Sequence, residues 1–185
     1  MLEHGYSVVH EERNNYNIGK RFGISDSEAM VVAETFNRSR HIEYLQPHKD
    51  AVEYTQKLHD LGFQFIVITG FTDDPGARRH REINLLNNFG PIFSELHCMS
   101  LRNHESKELL LSEWRDSGLY WIEDHAKNAV TGARLGLKTI LIDQLYNRTL
   151  SEEDESLVKR TKLSNPWEQI YFRVTKDYFR TVELP

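Results

Sequence analysis

The feature that most constrains this chain is an alternation that starts at Pro47, in which short apolar runs and helical segments follow one another four times. Residues 48–61 have helical spacing, with Ala51, Val52, Thr55 and Leu58 on one face and Gly62 as the stop. Phe63-Gln64-Phe65-Ile66-Val67-Ile68 is short and almost wholly apolar, which suits a parallel strand buried on both faces. Asp74-Pro75 supplies an N-cap and a first-turn proline for a helix that runs to Asn88, ahead of Gly90-Pro91. A weak strand over 95–99 follows, then a helix over 105–116 carrying Leu109, Leu110 and Trp114. A strand over 119–122, a helix over 126–135 stopped by Gly136, and a strand over 138–142 complete the series. Strands that alternate with helices are joined by crossovers and lie parallel. The expected class is therefore α/β, a three-layer, Rossmann-like parallel sheet with flanking helices.

Upstream of Pro47 the chain is polar and irregular. Ser25-Asp26-Ser27-Glu28 reads as a capping box, with Glu28 reaching back to Ser25, and Ala29, Val32, Ala33 and Phe36 continue at helical spacing. The expected organisation is a small helical cap over 1–46 and an α/β core over 47–185. The acidic patch 151–155 reads as a loop or a helix start.

Composition removes several classes. With 39% hydrophobic residues in 185, a core can be built. The 28 acidic residues outnumber the 23 basic ones, and no basic tract stands out, which disfavours nucleic acid as a partner. Cys98 is the only cysteine, so no internal disulfide forms, and the expected compartment is the cytoplasm. No apolar run approaches the roughly 20 residues that span a bilayer, so no membrane is expected as a partner. The nine histidines form no His-x-His or His-Glu-x-x-His, which leaves zinc without a motif.

Parallel sheets bind ligands beyond the carboxyl ends of their strands. At those ends stand Thr69-Gly70, then Lys107 at a helix start, then Glu123-Asp124 with Asn128 a turn further on. A hydroxyl and a glycine that opens the backbone suit phosphate oxygens, lysine suits a phosphoryl charge, and carboxylate and amide oxygens suit Mg²⁺. Each has a plainer reading: Thr69 as an ordinary strand-end residue, Lys107 as a solvated one, Glu123-Asp124 as a cap for the next helix. The order in which they occur together is more specific than any one of them, and points to phosphoryl transfer. Asp73 and Asp74 read as capping residues, Cys98 as a packed thiol, Trp114 and Trp121 as core, and His125 as a helix-start residue. No Gly-x-Gly-x-x-Gly follows a strand, which excludes a dinucleotide fingerprint. A receiver-type signalling domain fails because its lysine should follow the acidic pair.

Phe65-Ile66-Val67-Ile68-Thr69-Gly70, Ser106-Lys107 and Trp121-Ile122-Glu123-Asp124-His125-Ala126-Lys127-Asn128 resemble motifs two, three and four of the haloacid dehalogenase-like superfamily. The resemblance covers roughly residues 30–148. The segments Asp143-Gln144-Leu145-Tyr146-Asn147-Arg148 and Asn165-Pro166-Trp167-Glu168-Gln169-Ile170 are similar to its 5′-nucleotidase (deoxyribonucleotidase-like) branch. The resemblance implies a Mg²⁺-dependent phosphatase acting on a small phosphorylated metabolite such as a nucleoside monophosphate. Thr69, Gly70 and Lys107 would bind phosphate, and Asp124, Glu123 and Asn128 would hold the metal.

Members of that superfamily open on a strand ending in Asp-x-Asp, whose first aspartate is the nucleophile. No such motif precedes Thr69 here, so no catalytic nucleophile is assigned, and the expectation is a truncated frame or internal start with little or no turnover. The alternative is a non-catalytic protein of the same fold with a residual phosphate- or Mg²⁺-binding crevice. The opening strand lies at the centre of the family's sheet. The expectation is that residues 6–10, a C-terminal strand over 178–184, or a homodimer by strand exchange takes its place, rather than direct pairing of its two neighbours. Thr69, Lys107 and Asp124 are expected to converge at one sheet edge.

Overall fold

The computed structural model describes residues 5–100 and 106–182, and shows a mixed α/β protein with eight α-helices and two small parallel sheets among them. Two short helices come first. Helix α1, Ile18–Phe22, is capped by the Asn17 side chain, which accepts from the Lys20 N–H, and ends at Gly23 in the left-handed region (φ 65°). Helix α2, Asp26–Arg38, starts at Ser25, whose Oγ accepts the Glu28 N–H at 3.2 Å. Only that half of the expected capping box forms. The Glu28 carboxylate instead accepts the Tyr6 hydroxyl at 2.8 Å. A 3₁₀ turn, Arg40–Tyr44, buries Ile42 and is fixed by a later helix: Asn84 Nδ2 donates to the carbonyls of Glu43 and Leu45 (3.2 and 2.8 Å).

From Ala51 the elements follow the predicted alternation. They are α3 (Ala51–Asp60), β1 (Phe65–Phe71), α4 (Pro75–Phe89), β2 (Phe93–Ser100), α5 (Lys107–Leu111), β3 (Tyr120–Glu123), α6 (Ala126–Arg134) and β4 (Lys138–Leu141). Then come α7 (Glu152–Leu157), a two-residue strand β5 (Lys159–Arg160) and the long α8 (Pro166–Val182). Asp74, Ser106 and Ser151 each accept a backbone N–H at the start of the helix that follows. Strand β1 begins two residues later than its apolar run, because the Phe63 N–H closes the end of α3 on the Leu58 carbonyl (3.1 Å). It continues through Thr69 and Gly70 to Phe71. The helix expected over 105–116 is α5 plus a 3₁₀ turn, Ser112–Trp114; Glu105 lies outside the described residues. The strand expected over 178–184 is a correction: 178–182 is the last turn of α8. Ile170 and Val174 recur at i, i+4 and are buried, a helical period that outranks the local aromatic and β-branched content.

The sheet is in two pieces. Strands β1 and β2 pair in parallel, with Thr69 opposite Cys98, and β3, β4 and β5 pair in parallel with β4 in the middle. No backbone hydrogen bond joins β1 to β3 among the described residues. The hydrophobic core nevertheless spans both pieces. On one side Phe63 and Phe65 pack with Tyr120, Ile122, Ile140, Ile170 and Val174 beneath α3 and α8. On the other, Ile68 shares a cluster with Leu111, Trp121, Leu135 and Leu137. Neither of the fillers expected from this chain lies between them. Residues 6–9 form no strand, and the Val9 N–H is bound to the Arg21 carbonyl of α1 at 2.9 Å. The two neighbours do not pair directly either. Among the described residues no helix is long and apolar enough to cross a membrane.

Candidate functional site

The candidate site is built on the end of β3. Glu123 closes that strand with its side chain only 5% exposed, and both carboxylate oxygens are used. Its Oε2 takes the Lys107 ammonium at 2.6 Å. Its Oε1 accepts the N–H groups of Asp124 and His125 at 3.1 and 3.0 Å, the first donors of α6. The carboxylate therefore caps α6, where the helix dipole favours negative charge, and anchors the lysine of another element. Lys107 opens α5, is 16% exposed at its side chain, and lies with Nζ 5.2 Å from the centre of the Trp121 ring.

Asp124 is the next residue and is half-buried. Its Oδ2 accepts the Tyr146 hydroxyl, and its carbonyl accepts Asn147 Nδ2 at 2.7 Å. Burial, the hydrogen bond to Asp124 and that residue's charge all push the Tyr146 phenol well above its ordinary value, so Tyr146 remains a donor. Tyr16, from the N-terminal region, lies over this corner, its ring centre 4.7 Å from that of His125 and 5.3 Å from that of Tyr146. Burial, and then the charges of Asp124 and Glu123, raise its phenol too. His125 Nδ1 is buried without a hydrogen-bond partner. A cavity of about 690 Å³ opens beside these rings, lined also by Lys127, Arg134 and Asp154. Asn128 sits one turn into α6, and its carbonyl accepts Trp121 Nε1 at 3.2 Å.

Thr69 and Gly70 lie within β1, near its carboxyl end. Thr69 Oγ1 makes only a long 3.5 Å contact with the Gly70 carbonyl, so the hydroxyl is available to a ligand. No hydrogen bond links Thr69 to Lys107 or Asp124 among the described residues. Of the predicted residues, the structure thus joins Lys107, Glu123 and Asp124 in one network, sets Asn128 on the adjoining helix turn, and keeps Thr69 and Gly70 on the other sheet.

Behind the site stands a second network that sequence reading did not resolve. Asp143, 7% exposed at its side chain, binds Arg148 and Arg160. Arg160 also binds Glu155 at 2.6 Å and the Asn147 side chain at 2.6 Å. Asn147 is buried and donates to the carbonyls of Asp124 and Ile142, so it ties the two networks together. Tyr16 lies in no motif, and Tyr146 stands in the segment 143–148 whose resemblance gives it no partner. Their partners are at least 22 residues away, and no local spacing records such a contact.

The donor set bears on which cation fits. Among the described residues no group of three His, Cys, Asp or Glu side chains stands together as a metal cage. Glu123 has no free oxygen, whereas Asp124 keeps Oδ1 clear of protein hydrogen bonds. That suits Mg²⁺, which keeps several waters and is often bound through one or two carboxylates plus phosphate oxygens.

No family model matches the chain. A stretch of 115 residues, 62% of the chain, is 31% identical to an uncharacterized 32.4 kDa protein of the Gp30-rIII intergenic region in Enterobacteria phage T4. The match covers 40% of that protein, so the chain spans well under half the length of the curated relative it resembles.

Proposed function

We propose that the protein carries the phosphate- and Mg²⁺-handling half of a haloacid dehalogenase-like phosphohydrolase, of the 5′-nucleotidase type that cleaves phosphomonoesters of small metabolites. The observation that carries this reading is the Lys107–Glu123 pair at the head of α6 with Asp124 beside it. A lysine held at 2.6 Å by a buried carboxylate presents a positioned charge at a strand end, next to a carboxylate with a free oxygen. Asp124, with Asn128, would hold Mg²⁺, and the metal would neutralise phosphate charge. Glu123 would orient Lys107 and the first turn of α6. Lys107 would meet a phosphoryl oxygen, while the Thr69 hydroxyl and Gly70 N–H would bind it from the other sheet. No described residue stands in the place of a nucleophile, so these 185 residues alone are expected to bind rather than turn over.

The test is calorimetric titration of inorganic phosphate in the presence of Mg²⁺, together with phosphate release from nucleoside monophosphates. Binding should require Mg²⁺ and fall at least tenfold in Thr69→Val and in Asp124→Asn. Binding that ignores both substitutions would end the phosphoryl reading. Robust release abolished by Asp124→Asn would instead show a nucleophile supplied by another residue.

A further inference from the structure

A second cavity, of about 720 Å³, opens at the amino end of β4, beneath α8. Tyr120 faces Lys138 at that end of the β3–β4 pair and Glu123 faces Leu141 at the other, so the cavity lies at the end of the sheet away from the candidate site. Five exposed cations line it: Lys138 from β4, Lys159 from β5, and Arg173, Lys176 and Arg180 from α8. None of the five forms an ion pair among the described residues, whereas Arg134, Arg148 and Arg160, from the same part of the chain, all do. Asp177 is the one carboxylate among the lining residues, and its Oδ2 accepts the Tyr120 hydroxyl at 2.7 Å. A chain with a net charge of −5 thus holds one groove of positive potential. No basic tract marks it in the sequence, because the cations come from three elements spread over residues 138–180. Aromatic rings stand beside the charges. Phe172 lines the groove and is 60% exposed; it meets Tyr171 edge-on, with 70° between the ring planes, which leaves a face open. Phe179, two turns further along the same flank of α8, is 47% exposed.

We propose that this groove binds single-stranded nucleic acid, with phosphates along the Arg173, Lys176 and Arg180 stripe and bases stacked on Phe172 and Phe179. The three cations recur at i, i+3 and i+7, so they form one row on the helix. From Phe172 to Arg180 that row runs about 12 Å, room for a few nucleotides, and Lys138 and Lys159 face it from the sheet. Cations alone would suit an acidic peptide, and exposed rings alone an apolar partner. Rings set among cations suit a polyanion that carries a flat apolar face beside each charge, which is a nucleic-acid strand. A duplex does not fit, because its bases stack on one another and offer the rings no face. Stacking accepts every base, so recognition here rests on phosphate and ring rather than on sequence.

The experiment is fluorescence anisotropy with the full chain and labelled thymidine and uridine oligonucleotides of about twelve nucleotides, within the range of about 4–16 that single-strand modules cover. It is run in EDTA, so that Mg²⁺ plays no part and this reading and the phosphoryl one fail separately. Saturable binding at low salt is expected, with log K falling against log salt at a slope of about −3, as four or five neutralised phosphates give on a single strand. Binding of either oligonucleotide supports the proposal, and the tighter of the two says whether DNA or RNA is the source. The double variant Arg173→Gln, Lys176→Gln should bind at least tenfold more weakly and flatten the slope by about 1.4. Arg38→Gln, Lys49→Gln removes two exposed charges elsewhere and should change neither. Phe172→Ala should weaken binding at least fivefold with the slope unchanged. All the substituted residues are exposed, and thermal melts check that each variant is folded. Absence of saturable binding, equal loss in the two double variants, or a duplex bound as tightly as the single strand overturns the proposal. So does a polyglutamate peptide of equal charge that binds as tightly and ignores Phe172→Ala, which would make the partner an acidic peptide.

Discussion

Replacing Lys107 by Met isolates what the head of α6 gains from its ion pair. The change keeps the aliphatic stem that packs near Trp121 and removes the ammonium 2.6 Å from Glu123 Oε2. The carboxylate that remains is 5% exposed at its side chain, so water does not freely replace the lost partner. Breaking a buried pair by removing one member costs about 3–5 kcal/mol. Here Oε1 still accepts two backbone N–H groups at a helix N-terminus, which lowers the cost. A loss of about 2–3 kcal/mol follows, in the upper part of the range of about 1.5–3 kcal/mol for one hydrogen bond to a charged group. For a chain of this size that corresponds to a fall in Tm of roughly 4–12 °C. Urea unfolding followed by circular dichroism measures it as a shift in midpoint at constant slope.

A second variant makes the reasoning falsifiable. Adding Glu123→Gln to Lys107→Met removes the stranded charge while an amide oxygen can still accept the two α6 N–H groups. The double variant should recover at least half of the single variant's loss. A single variant within about 0.5 kcal/mol of wild type, the usual range for surface changes, would show the pair to be a solvated contact. A double variant no better than the single one would show that the loss came from packing against Trp121 rather than from the uncompensated carboxylate.

Three further outcomes follow from the geometry. Tyr146→Phe frees Asp124 Oδ2, so Mg²⁺ affinity measured by calorimetry should rise severalfold if Asp124 is a metal ligand, and stability should fall by about 1.5–3 kcal/mol for the lost charged hydrogen bond. Gly132→Ala should destabilise α6, because the added methyl would overlap the Trp121 ring; overpacking costs about 1–3 kcal/mol against a gain of about 1 kcal/mol in helix propensity, and thermal melts read the balance. Hydrogen bonding from Arg148, and then the charges of Arg148 and Arg160, hold the Asp143 carboxyl below its ordinary value although burial opposes them. A group with a depressed native pKa stabilises the fold above its unfolded pKa of about 4 and loses that contribution as pH falls through the native value. The urea midpoint should therefore drop as acid is added below about pH 4, and Asp143→Asn should be less stable at neutral pH with a smaller acid-induced drop.

What could be read from the sequence is what neighbours along the chain decide. Ser25 and Asp74 cap the helices that their positions announce, and Ser151 settles the patch 151–155 as a helix start, because an N-cap bond spans only two or three residues. At Glu123-Asp124 the sequence offers a capping reading and a ligand-binding one. The structure lets one carboxylate cap a helix with one oxygen and hold a lysine with the other. The misses all depend on distant partners. Asp50 falls inside the helix read over 48–61, yet its side chain accepts the N–H groups of Trp167 and Glu168 and so caps α8, more than a hundred residues further along the chain. Tyr16 reaches His125, and Arg160 gathers Asp143, Asn147 and Glu155, with no periodicity to mark either cluster.

The break in the sheet belongs to the same class, and it ties fold to function. Alternation identifies strands and predicts that they are parallel, but hydrogen-bond partners lie across the sheet and leave no local trace. The helical layers hold the two pieces together from outside: α3 and α8 meet over one face, where Asp50 caps α8 and Tyr54 donates to Glu168 at 2.9 Å. On the other face Leu111 of α5 packs with Trp121. Helix packing can therefore fix the strands' positions while the edges of β1 and β3 stay unpaired. The same break separates Thr69 and Gly70 from Lys107 and Asp124 in the hydrogen-bond network. The separation of the two pieces sets the distance between the Thr69 hydroxyl and the Lys107 ammonium that a phosphoryl group would have to bridge.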